Sequence, residues 1–140
     1  MAITQAMCTS FKEDLFQKEQ DLDSDEIYIA LYTSSANLDA DTLAYTPTNE
    51  VASGGGYTTL GQRLLNPVIG TSGTTAYVDF DNPEWTSASF TTAGALIYND
   101  TLAGKNAIAV LNFGGDFTVT AGTFRIVFPA PGAAGLIRID

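Results

Sequence analysis

The 140-residue chain contains no histidine. That removes the commonest general base, and with it the Ser-His-Asp and Cys-His arrangements of nucleophilic catalysis. There is a single cysteine, Cys8, so no intrachain disulfide forms, as expected for a protein made in a reducing cytoplasm. A lone cysteine in an apolar segment reads as a small buried hydrophobe, and zinc sites built on His and Cys are excluded with it. Basic residues are also scarce: Lys12, Lys18, Arg63, Lys105, Arg125 and Arg138 face 16 acids, for a net charge of −10. The six are scattered along the chain and make no footprint for phosphates, so neither nucleic acid nor an anionic membrane is an expected partner. No apolar run approaches the ~18 residues of a membrane-spanning helix. The opening segment Met1 to Ser10 has neither the basic nor the apolar region of a secretory signal. No internal repeat recurs at a fixed period.

What is present suits one domain, and a chain this long buries roughly two thirds of its unfolded surface without metal or disulfide. Ile3, Met7, Phe11 and Leu15 recur every four residues and predict one apolar helical stripe. Ser10-Phe11-Lys12-Glu13 fits a capping box, an alternative start for that helix. Residues 1–20 are thus expected to be a helix or arm, either capping the core or projecting, with residues 21–140 as the globular body. The stripe Ile3, Met7, Phe11 and Leu15 is the candidate contact element. An acidic connector, Glu19 to Glu26, follows.

From Ile27 the period changes to two. Ile27–Tyr32 predicts a strand with one face inward. Ser34 to Gly56 is one long turn-rich excursion, with a short strand near Glu50-Val51. Strands are then expected at Thr74–Phe80, Trp85–Phe90, Ala95–Tyr98, Ala107–Phe113, Phe117–Thr120, Thr123–Phe128 and Leu136–Ile139. Gly114-Gly115-Asp116 reads as a tight turn and Ala121-Gly122 as a hairpin turn. Short strands with no helices between them predict an all-β antiparallel sandwich or jelly roll. Ile27, Ile29, Leu31, Val78, Phe80, Leu96, Val110, Leu111, Phe124, Ile126 and Phe128 are the expected core.

Three constellations invite a chemical reading. Asp21, Asp23 and Asp25 open like a calcium loop, but the sixth position is Glu26 and the twelfth Tyr32, where the loop needs glycine and glutamate. A solvated acidic linker is the expectation. Gly54-Gly55-Gly56 lacks the Lys-Ser/Thr of a phosphate loop and reads as a flexible connection. Asp79, Asp81 and Glu84 beside Trp85 suggest a sugar subsite, yet Asn82-Pro83 makes them a turn. No serine, threonine or cysteine has a base partner, so no catalytic residue, metal site or cofactor is expected.

The strand motifs themselves point further. Thr75 to Phe80, Trp85-Thr86, Gly94 to Asn99 and Ala107 to Gly114 combine with Ser10-Phe11-Lys12 and Ile29 to Thr33 upstream. Together, from about Phe11 to Ile139, they resemble a family of small virion structural proteins of tailed bacteriophages. The resemblance implies a capsid decoration, or cement, protein that binds the outside of the head and bridges major capsid subunits. It implies the major capsid protein as partner, self-association as a dimer or trimer, and a place on the capsid exterior after synthesis in the host cytoplasm. Another virion component, such as a head fibre, neck or tail protein, is the alternative. A carbohydrate-binding module is a third reading, which needs exposed coplanar aromatics in a chain with one tryptophan.

Overall fold

A computed structural model of the chain describes residues 2–140. Eight strands and one helix follow in the order β1 (Ala6–Met7), α1 (Thr9–Phe16), β2 (Ile27–Tyr32), β3 (Gln62–Arg63), β4 (Val68–Ser72), β5 (Thr75–Asp79), β6 (Glu84–Asn99), β7 (Ala107–Arg125) and β8 (Ile137–Ile139). All pairings between these strands are antiparallel. One sheet has the order β1-β7-β6-β2-β3 and the other β4-β5-β8. The all-β antiparallel class is therefore as expected, and one continuous cluster of buried side chains takes in residues of both sheets.

β2 departs from the one-faced strand predicted for it. Ala30 and Tyr32 are as buried as Ile27, Ile29 and Leu31, because both faces of Ile27–Tyr32 are covered. The long excursion 33–61 lies over the tyrosine face. There Tyr45 packs on Tyr98, with ring centroids 5.0 Å apart, and Tyr98 in turn pairs with Tyr28. A strand buried on both sides tolerates a nearly continuous apolar run. Glu50 makes only an isolated bridge to Tyr32, so the strand expected at Glu50-Val51 is reduced to one contact.

The largest correction concerns β6 and β7. Each is one long strand, and neither Gly114-Gly115-Asp116 nor Ala121-Gly122 turns the chain. Both segments sit at bulges. Between the pairs Gly94↔Asn112 and Thr92↔Phe117 the chain advances two residues on β6 and five on β7. Gly114 (φ 84°) and Gly115 (φ 150°) take up the excess. A second slip, between Ala88↔Gly122 and Phe90↔Val119, is absorbed near Ala121 (φ 47°). Positive φ serves a bulge as readily as a turn, which is why the residue types alone misplace the corner.

The N-terminal segment is woven into the body rather than projecting from it. The predicted helix over residues 3–15 is helical only from Thr9. Ile3 bridges Leu38, and Ala6 and Met7 pair with Val110 and Ala109. Cys8 is the N-cap and no side chain caps the helix. Ser10 is therefore not its start, and the Ser10 hydroxyl instead donates to the Thr42 carbonyl at 3.5 Å. Of the expected core, Leu111, Phe124 and Ile126 are half-buried at the margin, and the other eight are buried.

Candidate interaction surfaces

The buried carboxylates are all committed to holding the fold. Glu50 accepts from Tyr45 Oη (2.5 Å), Tyr57 Oη (2.6 Å) and the Leu60 N–H (2.8 Å), while the Leu31 N–H donates to Tyr57 Oη at 2.9 Å. Burial pushes the hydroxyls of Tyr32, Tyr45, Tyr57 and Tyr98 well above the ordinary tyrosine value. The Glu50 charge adds to the rise at the first three, and Asp100 is the larger second cause at Tyr98. A second network ties the helix to the β6–β7 connection. Asp14 Oδ2 accepts from Gln20 Nε2 at 2.9 Å and Asn106 Nδ2 at 3.0 Å, and Asn99 Nδ2 donates to Gln20 Oε1 at 3.2 Å and Asp25 Oδ2 at 2.7 Å. Among the described residues no buried side-chain polar atom lacks a partner, the state in which polar burial costs least.

The three constellations singled out in the sequence resolve as structural parts. Asp21 Oδ1 accepts the N–H groups of Asp23 and Ser24, and Asp25 Oδ2 accepts the Asp21 N–H, so the connector is folded on itself. Asp79 is buried and accepts from the N–H groups of Phe80 and Leu136. Asp81 accepts from Asn66, and Glu84 pairs with Arg125 at 2.9 Å; each carboxylate thus has its own partner. Among the described residues no group of three His, Cys, Asp or Glu side chains converges as metal ligands would. The triglycine segment is fitted, not loose. Ser89 donates to the Gly55 carbonyl at 2.8 Å, and a Cβ on Gly55 would lie 2.2 Å from Ser89 O. Trp85 is buried among Tyr57 and Phe124 and offers no platform for a sugar. Cys8 is buried, and burial with the nearby Asp39 pushes its thiol up to about 11, away from the reactive thiolate.

Two of the openings in the surface have apolar walls. A cleft of about 540 Å³ lies between α1 with its connector and the small sheet; Phe11, Leu15, Ile69, Val78, Ile137 and Ile139 give it apolar walls, and the connector adds a charged rim that includes Glu19, Asp21 and Asp25. A hollow of about 220 Å³ lies on distal β7, among Phe113, Phe117, Phe124, Ile126 and Val127. Of the predicted stripe, Phe11 and Leu15 line the first cleft. Ile3 and Met7 do not reach it; both are half-buried against the core, Ile3 over Gly94. The stripe is thus not one outward contact face, and Phe11 is only 2% exposed. Several apolar side chains that do face solvent were not singled out from the sequence, among them Phe16 (92%), Val127 (72%), Ile69 (53%) and Phe117 (52%). Phe16 follows Leu15 in the helix, one step off the stripe. Phe117 sits between Asp116 and Thr118, the pattern of any half-buried strand, while Val127 and Ile69 stand beside other apolar residues and read as core, so no local signal separated them.

Fold and surfaces together define an all-β body with two apolar openings. No protein-family model, characterised protein or solved structure matches the chain.

Proposed function

We propose that this chain is a virion structural protein of a tailed bacteriophage, a decoration or cement protein that binds the outer face of the head and bridges major capsid subunits. One observation carries the reading beyond the sequence resemblance. Two separate apolar openings, one over the small sheet and one on the large, stay uncovered while the buried carboxylates serve the fold. Exposed apolar patches mark protein contacts, and a bridge between two neighbours needs two of them. An acidic surface, with three of the six cations already in ion pairs, also keeps such a protein off packaged DNA.

The energetic logic is mass action. A protein that binds only the assembled lattice stabilises it by RT ln(1 + [L]/Kd), so modest affinity at many sites strengthens a shell under internal pressure. The test is to assemble particles without this chain, then heat them or lower the salt. Loss of DNA at a lower temperature than complete particles, with density for the chain on the head exterior, is the expected result. Equal DNA retention together with absence of the chain from the head refutes the proposal, and density at the neck, fibre or tail assigns it there instead.

A further inference from the structure

The two sheets are bounded by β1 and β3 and by β4 and β8, and the distal halves of β6 and β7, beyond the reach of β2 and β1, leave two further edges that bulges interrupt and Glu84, Asp116 and Arg125 charge. Of the four bounding strands, three are blunted. β1 and β3 are two residues long, and β3 carries Arg63. β8 has three residues, with Arg138 inside it and Asp140 beside it. β4 differs. It has five uncharged residues, Val68–Ser72, in unbroken register against β5; a proline, Pro67, stands just before the strand but not within it, and Val68 and Ile69 are about half exposed. In a chain with 22 charged residues, the whole stretch from Leu64 to Val78 carries none. Natural edges are usually guarded by charge, proline, bulges or shortness, so an unguarded one marks a place where pairing is wanted.

The register identifies the free groups. Ser72 and Thr75 flank the two-residue connection Gly73-Thr74 and form its hydrogen-bonded closing pair. Antiparallel pairs alternate, so Gly70–Tyr77 and Val68–Asp79 also exchange hydrogen bonds, and Ile69 and Thr71 do not. The N–H and C=O of Ile69 and of Thr71 therefore point away from β5. Among the described residues no loop or side-chain hydrogen bond takes them up.

We propose that β4 pairs antiparallel with β4 of a second copy about a two-fold axis through Gly70, joining two three-stranded sheets into one of six. In that register Ile69 lies opposite Thr71 of the second copy. All four outward groups of each strand are then satisfied in four hydrogen bonds, with Gly70 opposite Gly70. Ile69 and Thr71 lie on the face that lines the apolar cleft, so the clefts of the two copies flank the seam. A copy of the same strand fits better than a cationic segment of another protein. The edge is self-complementary under the two-fold, and the strand itself carries no acid; Glu19, Asp21 and Asp25 lie across the cleft on the connector. The opposing term is repulsion between two bodies of charge −10, which salt screens. This pairing stands whether or not the particle reading above holds.

Sedimentation equilibrium of the full chain, from about 1 µM to about 1 mM and at low and high salt, tests it. The expected result is a monomer–dimer equilibrium that tightens as salt rises. Thr71→Pro deletes an outward N–H without touching the ladder to β5, and proline is tolerated on edges. It is expected to weaken the dimer about tenfold with an unchanged circular dichroism spectrum, as is Ile69→Lys. Under mild oxidation Gly70→Cys chains crosslink, while Ser72→Cys chains, offset from the axis, do not. The new Cβ at position 70 would lie 2.8 Å from Tyr77 Oη, so the ring must swing aside. Should that variant not fold, the Thr71→Pro sedimentation decides alone. A chain that stays monomeric at every concentration, a dimer that Thr71→Pro leaves unchanged, or one that salt dissolves overturns the proposal.

Discussion

Removing the Glu50 carboxylate is the sharpest probe of how the long excursion is held. Glu50 is 9% exposed and sits where three donors converge: two tyrosine hydroxyls and the Leu60 N–H. Glu50→Ala leaves those donors without an acceptor. Tyr45 is half-buried and regains water, so its loss is small, whereas Tyr57 is 2% exposed and cannot. A hydrogen bond to a charged acceptor is worth about 1.5–3 kcal/mol, and removal of the buried charge itself returns part of that. The net expectation is a loss of about 2–4 kcal/mol, a large share of the roughly 5–15 kcal/mol that holds a domain together. Equilibrium unfolding in urea, at constant m-value, reads it directly. Glu50→Gln keeps the shape and one acceptor oxygen but turns an amide N–H₂ toward one hydroxyl, so it falls between. A double cycle with Tyr57→Phe isolates the Glu50–Tyr57 coupling. A Glu50→Ala protein within about 1 kcal/mol of the parent refutes the claim that this carboxylate anchors residues 33–61.

Two further outcomes follow from the same geometry. Gly55→Ala forces a side chain into a left-handed position (φ 57°) with its Cβ 2.2 Å from Ser89 O. It is expected to cost about 2–4 kcal/mol and to expose the Glu84–Thr92 half of β6 to proteolysis; thermal unfolding within a degree or two of the parent contradicts this. In alkali, the buried phenols of Tyr32, Tyr57 and Tyr98 stay protonated in the folded state above about pH 10, where unfolded tyrosine ionises. The folded state then holds more protons, so its stability is intact below that pH and falls above it by about 1.4 kcal/mol per pH unit for each. Tyrosinate absorbance from these three is expected to appear together with loss of the β spectrum; smooth titration near pH 10 with the spectrum intact would contradict the packing.

The sequence carried the fold class because period-two alternation survives wherever one face meets solvent, as in Thr75–Asp79 and at Ile137–Ile139. It failed at three kinds of place. The glycines of β7 signal positive φ, and whether that makes a turn or a bulge depends on a partner strand more than twenty residues away. β4 went unread because Val68-Ile69-Gly70-Thr71-Ser72 is short and apolar at one end only; its pairing with β5, not its own pattern, makes it a strand. The four-residue spacing of Ile3 and Met7 with Phe11 imitates a helix, but tertiary pairing with Val110 and Ala109 overrides local preference before Thr9. The candidate contact surfaces were the least legible part. Leu15 and Phe11 were singled out and do line a cleft, but the opposite wall comes from Ile69, Val78 and Ile137 on strands far along the chain. No local pattern brings those walls together.

In so acidic a chain the buried acids hold structural positions. Its buried acids, Asp14, Glu50 and Asp79, accept from amides, hydroxyls and backbone N–H groups, so burying them fixes loops and helix to the sheets instead of leaving a reactive group poised. The long bulge in β7 then has a mechanical use. By inserting extra residues between Asn112 and Phe117 it breaks the ladder locally, yet keeps Phe113 and Phe117 in edge contact, ring centroids 6.2 Å apart, at the rim of the distal hollow. Phe124 stacks beneath, at 5.9 Å from Phe113, and through Trp85 and Phe90 connects the hollow to the buried Tyr57. Tyr57 is the residue that Glu50 holds. The open apolar surface and the buried carboxylate are therefore two ends of one packed chain of aromatic rings, and under the proposed function that packing would set the hollow on a rigid support and lower the ordering cost of a partner.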